Sequence, residues 1–483
     1  MWQLIIIKNK HMKLKNIKFT IVLCILISSV SCNIDDIEPI NQLTEENVIH
    51  NEKSAEAMLN ASYIKFREFF FSNFYAGLMG AGGEQTIGNF YGSQGFNQNT
   101  IQDDNILLAD NYKNLYIAIN NANFAIDGLE KGKATDIGEV RTNELIAEAK
   151  TIRAFSHFLL LRQFGQFFDL NSTYGIVLRM EPARKFEGLP RNSVQECYTA
   201  ILDDLKFASQ NGSTGVAHYY FSAVAAKALL SKVYLYTGDF TNAASTALEV
   251  INNTDGYNLA SEYGSIFTSN FGEEILFSVY GNSQEGERTN ADISFGRYQI
   301  TPSPYFRALA DEQDGVPGDG DPTYNSAGYD ARFLYAYDAF STAGPHSNGK
   351  IPFASNSTED VNTIIYLRLA EFYLVYAEAE ARRAGGDLDD ALAKLNSIRE
   401  RVGMPLKSFS TKQMLLQNIR EEKMLELFSE TGETWFDLIR YDRLGDIDAS
   451  TIKSTLNSVD QYVLPMPRTA LAGNENLIQN PGY

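Results

Sequence analysis

A chain of 483 residues with 44% hydrophobic and 21% charged residues carries enough apolar material for a large core, which excludes disorder as the default state. A formal net charge of −19 repels phosphate backbones and excludes nucleic acid as a partner. Of three cysteines, Cys24, Cys32 and Cys197, only the last lies in the body of the chain. That rules out a disulfide framework and a cysteine metal site, and Cys197 reads as a small buried hydrophobe.

The first 31 residues have the layout of a signal peptide. Lys13, Lys15 and Lys18 form a basic flank, Phe19 to Ile27 an apolar stretch, and Ser28 to Ser31 a run of mostly small residues. The apolar stretch is shorter than the roughly 20 residues a bilayer span needs. Met12, just before the flank, is an alternative start. Ser31 followed by Cys32 resembles a lipoprotein signal, in which the cysteine becomes the acylated first residue; Ser29 stands where such signals usually carry Leu. Asp35, Asp36 and Glu38 then resemble the acidic tract of surface-exposed lipoproteins.

The mature chain reads mostly as amphipathic helix. Apolar residues recur at helical spacing over Leu145–Phe164, and similar patterns cover Asn111–Leu129, Ser222–Tyr236, Tyr366–Arg383 and Met414–Phe428. Gly238-Asp-Phe-Thr-Asn-Ala243 is repeated as Gly386-Asp-Leu-Asp-Asp-Ala391. Glycine ends one helix, Asp caps the next and Ala permits close contact, as in tetratricopeptide-like hairpins. Residues 72–104 and 283–360 are rich in Gly, Asn, Pro and aromatics and read as long loops.

Catalytic and metal-binding patterns are missing from the sequence. His50, His157, His218 and His346 have no metal-ligand spacing, and His157 lies between Phe155 and Phe158, as a packed histidine would. There is neither a nucleophile elbow nor a phosphate-binding loop. The acidic run Asp311, Glu312, Asp314, Asp319 and Asp321 fits no EF-hand and reads as a solvated loop. The chain is therefore expected to be no enzyme and to hold no cofactor or metal.

The C-terminal half carries a resemblance. Arg368-Leu-Ala-Glu-Phe-Tyr-Leu-Val-Tyr-Ala-Glu-Ala-Glu380, Ala391–Arg401, Ile419-Arg-Glu-Glu422, Trp435-Phe-Asp-Leu-Ile-Arg440, Leu464-Pro-Met-Pro467 and the ending Asn474–Tyr483 are similar to the SusD/RagB family. Ala147–Phe155, Phe164-Gly165, Pro190–Val194 and Asp203–Leu205 agree more loosely. Where the family has Glu-Gly-x-Arg before Trp, this chain has Glu430-Thr-Gly-Glu-Thr434 and so lacks the Arg. The resemblance implies a mainly α, SusD-like fold of four tetratricopeptide-like hairpins with a loop-rich subdomain. After the 1–31 leader, residues 32–483 would form the SusD-like domain, with an N-terminal part, 32–260, and a C-terminal part, 261–483.

It further implies an outer-membrane lipoprotein, lipidated at Cys32 and facing outward. Its partner would be a SusC-like TonB-dependent transporter, and its ligand a glycan, with a peptide, as in RagB-like members, as the alternative. A helical-repeat scaffold for another protein is a third reading. Family ligands are held by loop aromatics and polar side chains, since an aromatic face packs on the CH face of a sugar while polar groups fix its hydroxyls. The candidates are Asn89, Phe90 and Tyr91 in the first loop and Arg297, Tyr298, Tyr324 and Tyr329 in the second. The mature chain's one Trp, Trp435, lies in a scaffold motif and reads as core, so a glycan site must use Tyr or Phe. In Tyr329-Asp-Ala-Arg332, an Asp–Arg pair would be structural.

Overall fold

The computed structural model describes residues 48–67, 69–89, 91–185, 187–268, 271–281, 300–311, 329–334, 337, 350 and 364–483. Ile49–Tyr483 forms one compact unit. Its first half runs α1 (Glu52–Lys65), α2 (Phe69–Ala81), β1 (Gln85–Ile87), α3 (Ile106–Glu130), α4 (Glu139–Phe164), α5 (Val194–Asn211), α6 (Ala223–Tyr236) and α7 (Phe240–Ile251). Then come α8 (Ser265–Thr268), β2 (Ile275–Ser278), β3 (Ile300–Pro302), α9 (Pro304–Asp311) and α10 (Ala331–Leu334). The remainder is β4 (Ile365–Arg368), α11 (Leu369–Arg382), α12 (Leu388–Arg401), α13 (Lys412–Leu427), α14 (Glu433–Arg443), α15 (Ala449–Ile452) and α16 (Arg468–Ala472).

The helices begin where their caps dictate. Asn51 and Ser193 close capping boxes at α1 and α5, and the Asn105 side chain accepts the Leu107 N–H at the start of α3. The repeat behaves as its residues suggest. Asp239 and Asp387 cap α7 and α12, and Ala243 and Ala391 are fully buried. The left-handed glycines are Gly238 and Gly385, so the turn of the second copy sits one residue earlier. Sequence neighbours pack on one another: α3 on α4, α4 on α5, α5 on α6, α6 on α7, and α11 on α12, a layout compatible with helical hairpins.

Two expectations are corrected. Residues 72–81 belong to helix α2 and are no loop. Its glycines serve close packing, since a Cβ on Gly77 would lie 2.7 Å from the Phe96 ring. Residues Tyr366–Arg368 belong to strand β4, antiparallel to β2 with Ile275 opposite Arg368, and the helix begins only at Leu369. The second sheet pairs β1 with β3 across more than 200 residues, Thr86 opposite Thr301. Among the described residues no helix is long and apolar enough to cross a membrane.

An aromatic core joins distant parts of the chain. Phe221 stacks on Phe277 at 3.9 Å, and Phe155 meets Tyr366 edge-on at 5.2 Å. At its margin the Tyr63 hydroxyl accepts the Phe221 N–H (2.9 Å) and donates to Glu148 (2.8 Å). Beside this core lies a buried ion cluster. Arg368 reaches Glu274 at 2.8 Å and Glu430 at 2.9 Å, Arg332 reaches Asp330 at 2.7 Å and Glu422 at 2.7 Å, and Lys350 reaches Glu430 at 2.8 Å. Glu426 sits at the centre, accepting from Arg332 (2.8 Å), Arg368 (2.5 Å) and Arg401. The structural role expected of the Asp330–Arg332 pair is thus observed.

This packing has two measurable consequences. Glu426→Ala removes the carboxylate shared by three buried guanidinium groups, each of which keeps another carboxylate, and is expected to cost about 3–5 kcal/mol in urea denaturation; a loss below about 1 kcal/mol would show that the shared carboxylate is dispensable. Burial pushes the Glu148 carboxyl up to about 7 against the lowering hydrogen bond from Tyr63. The folded state then holds a proton that the unfolded chain releases near its ordinary value. This stabilisation is complete below about 4.5 and is lost as the pH rises through about 7. Melting temperatures between pH 5 and 8 are expected to fall less in Glu148→Gln than in the wild type.

Candidate functional site

The first predicted loop comes after β1 and is held by amides. Asn97 accepts the Ile87 N–H at 3.0 Å, Asn99 donates to the Ala81 carbonyl at 3.2 Å, and Asn105 donates to the Gly92 carbonyl at 2.8 Å. Gly92 has φ +84°, and a Cβ there would lie 2.5 Å from Leu107. This anchoring leaves Asn89 exposed and Tyr91 with 59% of its surface in solvent. Phe90, Arg297, Tyr298 and Tyr324 lie outside the described residues.

Tyr329 departs from its expected role as a ligand platform. It is 6% exposed and stacks on Phe333 at 5.0 Å, in a cluster with Phe306, Tyr337 and Phe428. A ring used this way has no open face for a sugar. Its i, i+4, i+8 spacing with Phe333 and Tyr337 is the signal in the sequence that it packs inward.

Other singled-out residues are structural. Trp435 and Cys197 are buried, and burial pushes the Cys197 thiol up to about 12. The His157 Nε2 accepts the Arg179 N–H at 3.4 Å, and burial, helped by Arg153, lowers its pKa to about 3, so the ring stays neutral. Of the acidic run, only Asp311 lies within the described residues, among which no acidic, His or Cys group is arranged to hold a metal ion. At the position of the missing family Arg, the Thr434 hydroxyl donates to buried Glu84 at 2.8 Å. It supplies a hydrogen bond without a charge, and burial shifts the Glu84 carboxyl upward.

A groove of about 710 Å³ opens on the outer side of α3, within the roughly 300–1,000 Å³ range of ligand sites. Tyr112, Tyr116 and Asn120 recur every four residues along α3 and line one wall. The second wall comes from Val177, Arg179, Ala183, Arg184, Lys185 and Glu187, and the third is α16 with Gly473, Asn474 and Leu477. These walls are tied together. The Tyr116 hydroxyl donates to the Val177 carbonyl at 2.9 Å, and Asn120 accepts the Ala183 N–H at 2.8 Å. Asn123 donates to the Arg179 and Glu181 carbonyls at 2.9 and 3.1 Å, and Asn474 donates to the Leu189 carbonyl at 2.7 Å. Asn123 is itself held by Arg153 at 2.8 Å, whose guanidinium also grips Asp204. The sequence alone did not disclose this groove. Its one local signal is a polar aromatic stripe on a helix that is otherwise largely apolar.

Comparison with known proteins places this architecture. A model described as the SusD family matches residues 339–483, and one described as starch-binding, associating with outer membrane, matches residues 36–235. The chain belongs to the SusD/RagB family. SusD-like protein P2 of Formosa agariphila is 26% identical across 97% of this chain and 100% of its own length. A SusD superfamily protein from Bacteroides thetaiotaomicron has the same fold, with a TM-score of 0.74 at 22% identity over 89% of this chain and all of the other. A laminarin binding SusD-like protein aligns with a TM-score of 0.67 at 25% identity over 90% of this chain and all of its own.

Within this SusD/RagB chain the family motifs build scaffold. Arg368 and Arg440 are buried ion-pair residues, and Trp435 packs in the core. The groove wall depends instead on Asn123. Asn123→Ala removes two donors from the 177–187 segment and one acceptor from Arg153. The expected loss is about 1–3 kcal/mol of stability, with faster amide exchange confined to residues 177–187 and their neighbours; uniform exchange would show that the segment is held by other contacts.

Proposed function

We propose that the protein is a cell-surface, outer-membrane lipoprotein, anchored through Cys32, that captures oligo- or polysaccharide without chemical change. It passes the glycan to a SusC-like TonB-dependent transporter. The observation that carries this reading is the pair of SusD-family matches, one of them described as starch-binding and associating with outer membrane. The laminarin-binding relative of the same fold supports a carbohydrate ligand. Anchoring by acyl chains fits the energetics, since each buried CH₂ contributes about 0.8 kcal/mol and several chains hold where one does not.

The exposed amide and ring of Asn89 and Tyr91 suit a sugar, the ring packing on CH groups and the amide bonding hydroxyls. Phe90, Arg297, Tyr298 and Tyr324 complete the proposed loop site from the sequence. Binding of the chain without its leader and anchor cysteine, residues 33–483, to an array of polysaccharides and peptides tests this. A glycan hit is expected, weakened roughly two- to tenfold by Tyr91→Ala, the value of one aromatic contact. A hit on peptides alone would replace the glycan with a peptide ligand.

A further inference from the structure

The groove along α3 has a charge opposite to that of the protein. The chain carries −19 overall, yet Lys113, Arg179, Arg184 and Lys185 line this groove against one acid, Glu187. Lys113 is paired with Asp110 at 2.8 Å, and Arg184 with Asp127 at 2.8 Å. Arg179 and Lys185 have no carboxylate partner among the described residues; the Arg179 guanidinium donates to the Glu187 carbonyl. Two cations with no carboxylate partner among the described residues therefore line an opening in a protein whose net charge is strongly negative.

The remaining lining is that of a sugar site. Tyr112 and Tyr116 lie 4.8 Å apart and are partly exposed. Asn120 uses its carbonyl oxygen on Ala183, and its NH₂ has no partner among the described residues. Aromatic rings, an amide donor and cations converge on one open cavity of about 710 Å³. A guanidinium binds carboxylates and sulfate esters through paired N–H groups, which a neutral hydroxyl cannot match.

We infer that this groove is a second glycan site, separate from the Asn89–Tyr91 loop, and that it selects acidic glycans bearing carboxylate or sulfate ester groups. The inference rests on the glycan-capture reading and names its ligand class. Arg179 and Lys185 hold the anion, and Tyr112, Tyr116 and Asn120 hold the sugar ring.

The test measures binding of the mature chain to oligogalacturonate, dextran sulfate and neutral dextran, at low and at high salt. Arg179→Gln with Lys185→Gln is compared with the wild type. The expected result is that at least one acidic probe binds more tightly than dextran, that salt weakens it, and that the double variant loses about tenfold or more. The better acidic probe identifies carboxylate or sulfate as the group read. Lys185→Gln alone removes an exposed side chain without disturbing the 179–187 segment, and is expected to lose a few-fold with an unchanged melting temperature. Lys206→Gln, at an exposed position of α5 outside the groove, is expected to change nothing.

Equal affinity of wild type and double variant for the acidic probes would overturn the inference, as would an equal loss in Lys206→Gln. Binding of neutral glycans with no preference for the acidic ones would overturn it while leaving the capture function standing. Failure of every glycan, acidic or neutral, would overturn both.

Discussion

Glu426 is the point around which the second half of the chain is organised. Its carboxylate receives Arg332, Arg368 and Arg401, which come from α10, β4 and α12. Bringing three guanidinium groups out of water is costly, and only a convergent set of carboxylates offsets it. Asp330, Glu274, Glu422 and Glu430 supply the rest. Because each cation is shared, no one of these elements can shift without stranding a buried charge. The β2–β4 pairing is irregular, and it is tied across the strands by Arg368 reaching Glu274 on the neighbouring strand's margin and by Phe277 stacking on Tyr366.

A second constraint of the same kind positions the groove. Arg153 is buried on α4, forked onto Asp204 of α5, and its remaining donors go to Asn123 and the Met180 carbonyl. Asn123 passes that order on to the 179–181 backbone. The irregular segment between α4 and α5 is thus fastened to α3 from inside the protein, and its outer face is left for Arg179 and Lys185. Sequence distance does not matter here; buried hydrogen bonds carry the wall's position.

The helical half of the architecture was legible because apolar periodicity, Asp caps and turn glycines are local signals. Gly238-Asp239 and Gly386-Asp387 announced two helix starts, and Trp435 announced core. The features that stayed hidden depend on partners far away in sequence. Tyr366–Arg368 continues the helical spacing of residues 369–383, and only its pairing with β2 makes it a strand. Gly77 and Gly82 look like loop residues, yet they are small because the Phe96 ring and the Trp435 backbone approach within 3 Å of where a Cβ would lie. Tyr329 reads as a platform because it neighbours a Gly- and Pro-rich stretch; its partners Phe333 and Tyr337 decide otherwise. The groove went unseen since its walls come from residues 112–120, 177–187 and 469–477, which no local motif connects.

The two proposed ligand regions make different thermodynamic demands. Tyr91 stands on the loop between β1 and α3, held at the Ala81 and Gly92 carbonyls and the Ile87 N–H, with more than half of its surface in solvent, so a ligand there gains contact area at the cost of ordering an exposed side chain. The groove is built on a helix and on backbone already bonded at Val177, Arg179, Glu181 and Ala183. Little order remains to be imposed, and binding energy is free to discriminate between ligands. Its tyrosines recognise any sugar face, while its cations distinguish charge. A net charge of −19 disfavours the approach of acidic chains on average, and at physiological salt that field fades within about 8 Å. Within that distance of Arg179 and Lys185 an acidic ligand meets their charge first, and the groove's local charge, more than the protein's average, would set its specificity.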